Sequence, residues 1–173
     1  MAETLLMLQE LAYTIATQEG LDADILRRQI EQESQWNPQA VNPVSGCLGL
    51  GQLNPRYGRW FIWMHGRRLI PGWSNVFEGE GWTDDYVREV LLVPEYNLTI
   101  AAREMARLLN HGERNNLGGY EYALAAYNWG AGNVARLRTL YPRSWMARLP
   151  WETRLYLARV LLNTDARKER GIA

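Results

Sequence analysis

Apolar residues recur at helical spacing along most of this chain, and no stretch alternates long enough to make a strand. Leu98, Ala101, Ala102, Met105 and Leu109 share one helix face, with Gly112 as the expected stop. Leu5, Leu8, Leu11, Ala12 and Ile15 mark a first helix ending near Gly20. Asp22 is a good cap for a second, Ala23 to about Ser34, which Asn37-Pro38 breaks. Further helices are expected from Tyr120 to Asn128, shortly after Gly132, and from about Pro150 to Asp165. The tail Arg167-Lys168-Glu169-Arg170 is expected to fray. Residues 37–55 carry three Pro and three Gly and read as an irregular loop, and from Tyr57 to Val93 no helical period persists. The fold class that follows is all-α, or mostly α, in a single domain covering 1–173.

Composition removes several functions. With 47% hydrophobic residues the chain has a core to bury, so disorder is excluded. Nineteen basic residues balance nineteen acidic ones, which argues against a nucleic-acid coat or a polybasic membrane binder. Cys47 is the single cysteine, so no internal disulfide can form, and neither it, His65 nor His111 sits at metal-ligand spacing. Neither a metal nor a cofactor is expected. No apolar run reaches the roughly 18 residues of a membrane-spanning helix. Glu3 and Glu10 interrupt the first apolar stretch and no Lys or Arg precedes Arg27, the opposite of a secretory signal. A protein made soluble, or one whose signal has been removed, is the expectation, and a monomer.

Glu33 is the first residue with chemistry to offer. Leu26, Ile30 and Glu33 fall on one helical face, so this carboxyl ends the apolar stripe, whereas Glu31 points the other way. A carboxyl held against apolar surface loses solvation, which favours its protonated form and suits a general acid. The alternative is a helix-end Glu leaning out to water.

Four blocks in order then narrow the choice. Glu33-Ser34-Gln35-Trp36-Asn37-Pro38 is followed by Gly49-Leu50-Gly51-Gln52-Leu53-Asn54-Pro55. Pro94-Glu95-Tyr96-Asn97-Leu98, Ala126-Tyr127-Asn128-Trp129-Gly130-Ala131-Gly132-Asn133-Val134 and Leu149-Pro150-Trp151-Glu152-Thr153-Arg154-Leu155-Tyr156 complete the series. This pattern resembles the soluble lytic transglycosylase family, a branch of the lysozyme-like fold, with a motif-matched core of about 23–165.

The resemblance implies a helical domain with an active-site cleft, peptidoglycan glycan strands as partner, and the bond between N-acetylmuramic acid and N-acetylglucosamine as target. Glu33 would be the catalytic residue, first as acid toward the glycosidic oxygen. As carboxylate it would then take a proton from the C6 hydroxyl, closing a 1,6-anhydro ring. Gln52 would contact sugar or peptide, its alternative being a loop-stabilising amide. Tyr127 would place its hydroxyl near Glu33, unless it is a core aromatic, and Asn128 would hold backbone or substrate. Glu152 matches a family acid beside the groove and equally suits a helix first turn. Ser34 and Asn42 complete the implied substrate-binding set, although Asn42 stands where the family often has Ser. Gly51 stands where Met is common, Gly130 and Gly132 read as turns between helices, and Cys47 reads as a packed thiol.

Residues 56–93 fall outside the blocks and read as an aromatic-rich insertion. Trp60, Trp63, Trp73 and Trp82 could stack on sugar rings, or the insertion could bury them and pair Arg56, Arg59, Arg67 and Arg68 with the acids that follow. Three functional readings stand at this point. The first is a lytic transglycosylase, the second a lysozyme-like muramidase using water, the third a non-catalytic wall-binding or virion protein that keeps the fold. A domain without a recognisable signal suggests a phage endolysin or virion-associated lysin acting on the cell wall, with a processed bacterial enzyme as the alternative.

Overall fold

The computed structural model describes residues 2–79 and 81–168. Among them are eight α-helices and no strand longer than an isolated bridge, so the all-α expectation holds. The chain divides into two compact units, Met1–Arg103 and Glu104–Ala173.

In the first unit α1 (Ala2–Gln18) packs on α2 (Ala23–Ser34). Leu8, Ala12 and Ile15 of α1 and Leu26 and Ile30 of α2 are buried as the helical spacing predicted, joined by Ala16 and Ile25, whereas Leu5 of the expected stripe is exposed and Leu11 half-buried. Asp22 caps α2 as expected, its carboxylate accepting the Asp24 and Ile25 N–H groups at 2.9 and 3.0 Å. The stretch from Tyr57 to Val93 departs from expectation, because it contains α3 (Gly58–His65) and α4 (Asp84–Leu92), which pack on each other. Both are two turns long. Only Ile62 and His65 among the larger side chains of α3 are buried, and only Val87, Val90 and Leu91 of α4, too few to show a period. Thr83 caps α4 by accepting the Tyr86 N–H at 3.2 Å.

Helix α5 (Pro94–Arg114) starts four residues before Leu98 and runs through Gly112, where a stop was expected. Pro94 at its first position costs the helix no hydrogen bond. In the second unit α6 (Tyr120–Trp129) packs against α7 (Ala131–Leu140) and α8 (Trp151–Lys168). Tyr122 to Ala126 are buried consecutively, so α6 is enclosed on all sides there. Glu104 takes both ends of the Arg107 guanidinium at 2.7 Å, and this bonding holds the Arg107 proton more tightly than usual. Burial pushes the Tyr122 phenol up. Gly130 turns the chain between α6 and α7 with φ +92°, whereas Gly132, also read as a turn, lies inside α7. The tail expected to fray is helical through Lys168, and Glu169 and Arg170 lie outside the described residues.

Candidate active site

Glu33 occupies the last turn of α2, one turn beyond Ile30, which is fully buried. Glu33 itself is half-buried. The Ser34 hydroxyl donates to Ile30 O at 3.3 Å, so it backs its own helix. Gln35 and Trp36 follow with φ of +51° and +64°. Two consecutive non-glycine residues in the left-handed region are costly, and Trp36, 5% exposed, anchors the turn they make.

The chain then enters a loop most of whose backbone N–H groups are hydrogen-bonded. Asn42 is exposed and accepts the Val44 and Ser45 N–H groups at 2.9 and 3.0 Å, which makes it the organiser of a tight turn. Leu48 exchanges hydrogen bonds with Leu53 at 2.9 Å both ways. Gln52 sits at the tip of this small arch with φ +48° and is half-buried. Its Nε2 donates to Gly49 O at 3.0 Å and Ala40 O at 3.4 Å. The amide nitrogen thus stabilises the loop, and among the described residues the amide oxygen accepts no hydrogen bond.

What holds the arch is Asn97, a residue the sequence offered only as part of a helix start. It is fully buried on α5. Its Oδ1 accepts the Gly51 N–H at 2.6 Å, while its Nδ2 donates to Leu48 O at 3.0 Å and to Leu91 O. Gly49 lies against this amide with φ +70°, and a Cβ there would collide with it. An amide one residue before the apolar run of α5 was the available signal, since a buried Asn must find partners.

The second unit carries the remaining residues. Tyr127 is half-buried near the end of α6, and Asn128 is exposed beside it. The Asn128 Oδ1 accepts the Thr153 hydroxyl at 2.9 Å, which ties α6 to the first turn of α8. Glu152 precedes Thr153 and is exposed. Glu33, Ser34, Asn42 and Gln52 therefore lie in one unit, and Tyr127, Asn128 and Glu152 in the other.

The insertion is not a uniform aromatic surface. Trp82 is 8% exposed and packs its ring 5.1 Å from that of Tyr86, which leaves little face for a sugar and corrects its place among stacking candidates. Trp60 and Trp73 are half-buried, and Trp63, 45% exposed, is the most open of the four. Arg59 donates to Val76 O at 2.8 Å and pairs with Asp84 at 2.9 Å, an internal pairing of the kind the insertion was weighed for. Cys47 is half-buried and free. Among the described residues no cluster of His, Cys, Asp and Glu could hold a metal ion, and no helix is long and apolar enough to cross a membrane.

The family described as the transglycosylase SLT domain matches residues 10–143. The crystal structure of the 70 kDa soluble lytic transglycosylase from Escherichia coli superposes with a TM-score of 0.65 at 23% identity. The match covers 88% of this chain and 22% of that one, so the chain spans about a fifth of that protein's length. At this identity the likeness is one of fold. No curated protein sequence matches the chain.

Proposed function

Because the chain belongs to the transglycosylase SLT domain family, we propose that it is a lytic transglycosylase that cleaves the glycan strands of peptidoglycan without water. The observation that carries the reading is Glu33, half-buried on the last turn of α2 at the end of a closed apolar stripe. A carboxyl so placed borders apolar surface and still meets solvent, where a substrate could reach it. In the proposed reaction Glu33 protonates the oxygen between N-acetylmuramic acid and N-acetylglucosamine, and that bond breaks. The N-acetyl group of the substrate supports the cationic carbon left behind. The Glu33 carboxylate then takes the C6 hydroxyl proton as that oxygen closes the 1,6-anhydro ring, which restores the acid.

One carboxyl suffices here because the nucleophile is tethered to the sugar it attacks, an entropic advantage over recruiting water. Hydrolytic glycosidases need a second carboxylate to activate water or to act as nucleophile. Gln52 is proposed to bind sugar or peptide through its amide oxygen, its nitrogen being committed to the loop. Tyr127, Asn128 and Glu152 are proposed as further substrate contacts.

Digestion of purified sacculi, with product masses taken before and after borohydride reduction, tests this. Anhydro ends resist reduction and weigh one water less than hydrolysis products. Reducible, hydrated ends would make the protein a muramidase, with Glu152 the first candidate for a second carboxylate. Absence of any released fragment would make it a wall-binding protein. Glu33→Gln keeps the shape of the side chain and removes its proton, so turnover should fall by at least about a hundredfold.

A further inference from the structure

The segment 56–77 contains four arginines, one histidine and no acid, in a chain whose charges sum to zero overall. After α3 this segment makes a tight turn. Gly66 is closely enclosed there, since a Cβ would run into Ile62 O. The turn borders a cavity of about 360 Å³ lined by Met64, His65, Arg67, Arg68 and Arg103. No carboxylate lines it.

The carbonyls of His65, Gly66 and Arg67 are already used. Arg103 donates through Nη1 to His65 O and to Arg67 O, and Gly66 O accepts the Leu69 and Ile70 N–H groups at 3.0 and 2.9 Å. Arg103 is itself held by Glu19, whose Oε1 accepts its Nε at 2.8 Å. The neighbouring acid is therefore spent on the scaffold. Arg67 and Arg68 are different: both are exposed, and among the described residues neither guanidinium has a hydrogen-bonded or ion-paired partner. Arg68 is also held at φ +63°, a left-handed conformation that a non-glycine residue adopts at a cost. The carbonyl end of α3 favours a cation nearby. One would answer it, and Arg103 does.

We propose that this turn is a binding site for an oxyanion, a carboxylate or a phosphate, gripped by Arg67 and Arg68 against the fixed guanidinium of Arg103. Guanidinium groups pair with such anions through parallel N–H donors, and the bonded turn presets where the two free arginines leave the backbone. The site is independent of the reaction assigned to Glu33. If the protein does work on peptidoglycan, stem-peptide carboxylates and wall phosphates are the two sources of such a group.

Amide chemical shifts of residues 64–70 during titration with inorganic phosphate, at constant ionic strength, read the site directly. Saturable shifts confined to this turn are expected. Arg67→Ala with Arg68→Ala should weaken them about tenfold or more, and Lys at both positions should restore part of the affinity. Arg68→Gly separates binding from structure: it relieves the left-handed strain, so melting should hold or rise while phosphate affinity falls. A parallel titration with N-acetyl-Ala-Ala and with its C-terminal amide identifies the source. Binding of the free acid but not the amide points to carboxylate, and binding of phosphate alone points to phosphate. Shifts that fail to saturate for every probe, or that survive the double Ala variant, would overturn the site while leaving the digestion products unchanged.

Discussion

Two neighbouring stretches of the first unit, the arch at 40–53 and the insertion at 56–93, are ordered by opposite means. The arch has almost no regular structure and two isolated bridges, Val41 with Leu48 and Leu48 with Leu53. Leu48, Leu50 and Leu53 are buried, and its backbone shape is set by directional polar bonding, above all from Asn97, forty-six residues beyond Gly51 in sequence. The insertion has two helices and takes its order from burying its own apolar groups, among them Ile62, Val76, Trp82, Val87 and Leu91. Irregular backbone is therefore not loose backbone. In the arch, shape depends on a few directional bonds that fail abruptly when a partner is lost, whereas a packed insertion loses stability in proportion to the volume removed.

Substitutions that attack each source of order should break the comparison if it is wrong. Trp82→Ala should have the largest effect on stability, about 3–5 kcal/mol, because it empties the centre of the insertion. Urea melts measure it, and a loss below 1 kcal/mol would mean that the insertion is not held by its core. Asn97→Ala strips partners from Gly51 N–H, Leu48 O and Leu91 O. Each buried group left unpaired costs about 1–3 kcal/mol, not additively, so a total near 3 kcal/mol is expected. The sharper sign is in activity: the arch carries Gln52, proposed above as a substrate contact, so under the proposed function lysis of sacculi should fall further than the fraction unfolded explains. Gly49→Ala is milder in volume but collides with the Asn97 amide at φ +70°. A loss of about 2 kcal/mol is expected, and Asn97→Ala made in the same background should recover none of the strain at φ > 0.

The two stretches also differ in what could be read from the chain. The helices flanking the arch were legible because Leu26–Ile30 and Leu98–Met105 bury long one-sided stripes. The Glu-Ser and Gly-Leu-Gly-Gln blocks singled out Glu33 and Gln52 as candidates, and Gln52 does stand at special backbone, with φ +48°. Asn97 was written in the same chain, yet its role was hidden: nothing local says which carbonyls a buried amide will meet. Helices α3 and α4 were missed for another reason. In α3 the side chains Trp60, Phe61, Trp63 and Met64 are apolar all round while only part of one face is buried, so no period separates inside from outside. The same ambiguity put Trp82 among the stacking candidates, because an indole that fills a core and one that meets a sugar are written alike.

Trp63 therefore gives the finest test of the comparison. It stands on α3, within the packed insertion, yet it is 45% exposed, so its ring does little for the core. If buried volume alone orders this region, Trp63→Ala should change stability by no more than about 0.5 kcal/mol, as surface substitutions do. The same ring is the most open of the four tryptophans, and an indole lying on a sugar would contribute through its apolar face and CH contacts. Binding of chitin or peptidoglycan oligosaccharides to the variant, followed by fluorescence or calorimetry, should weaken while the melt stays put. Equal affinity would remove the insertion from glycan recognition and leave it as a packed support for the first unit. A large loss of stability would show instead that Trp63 belongs to the core, and that the exposed edge of α3 is held in place by more than the residues beneath it.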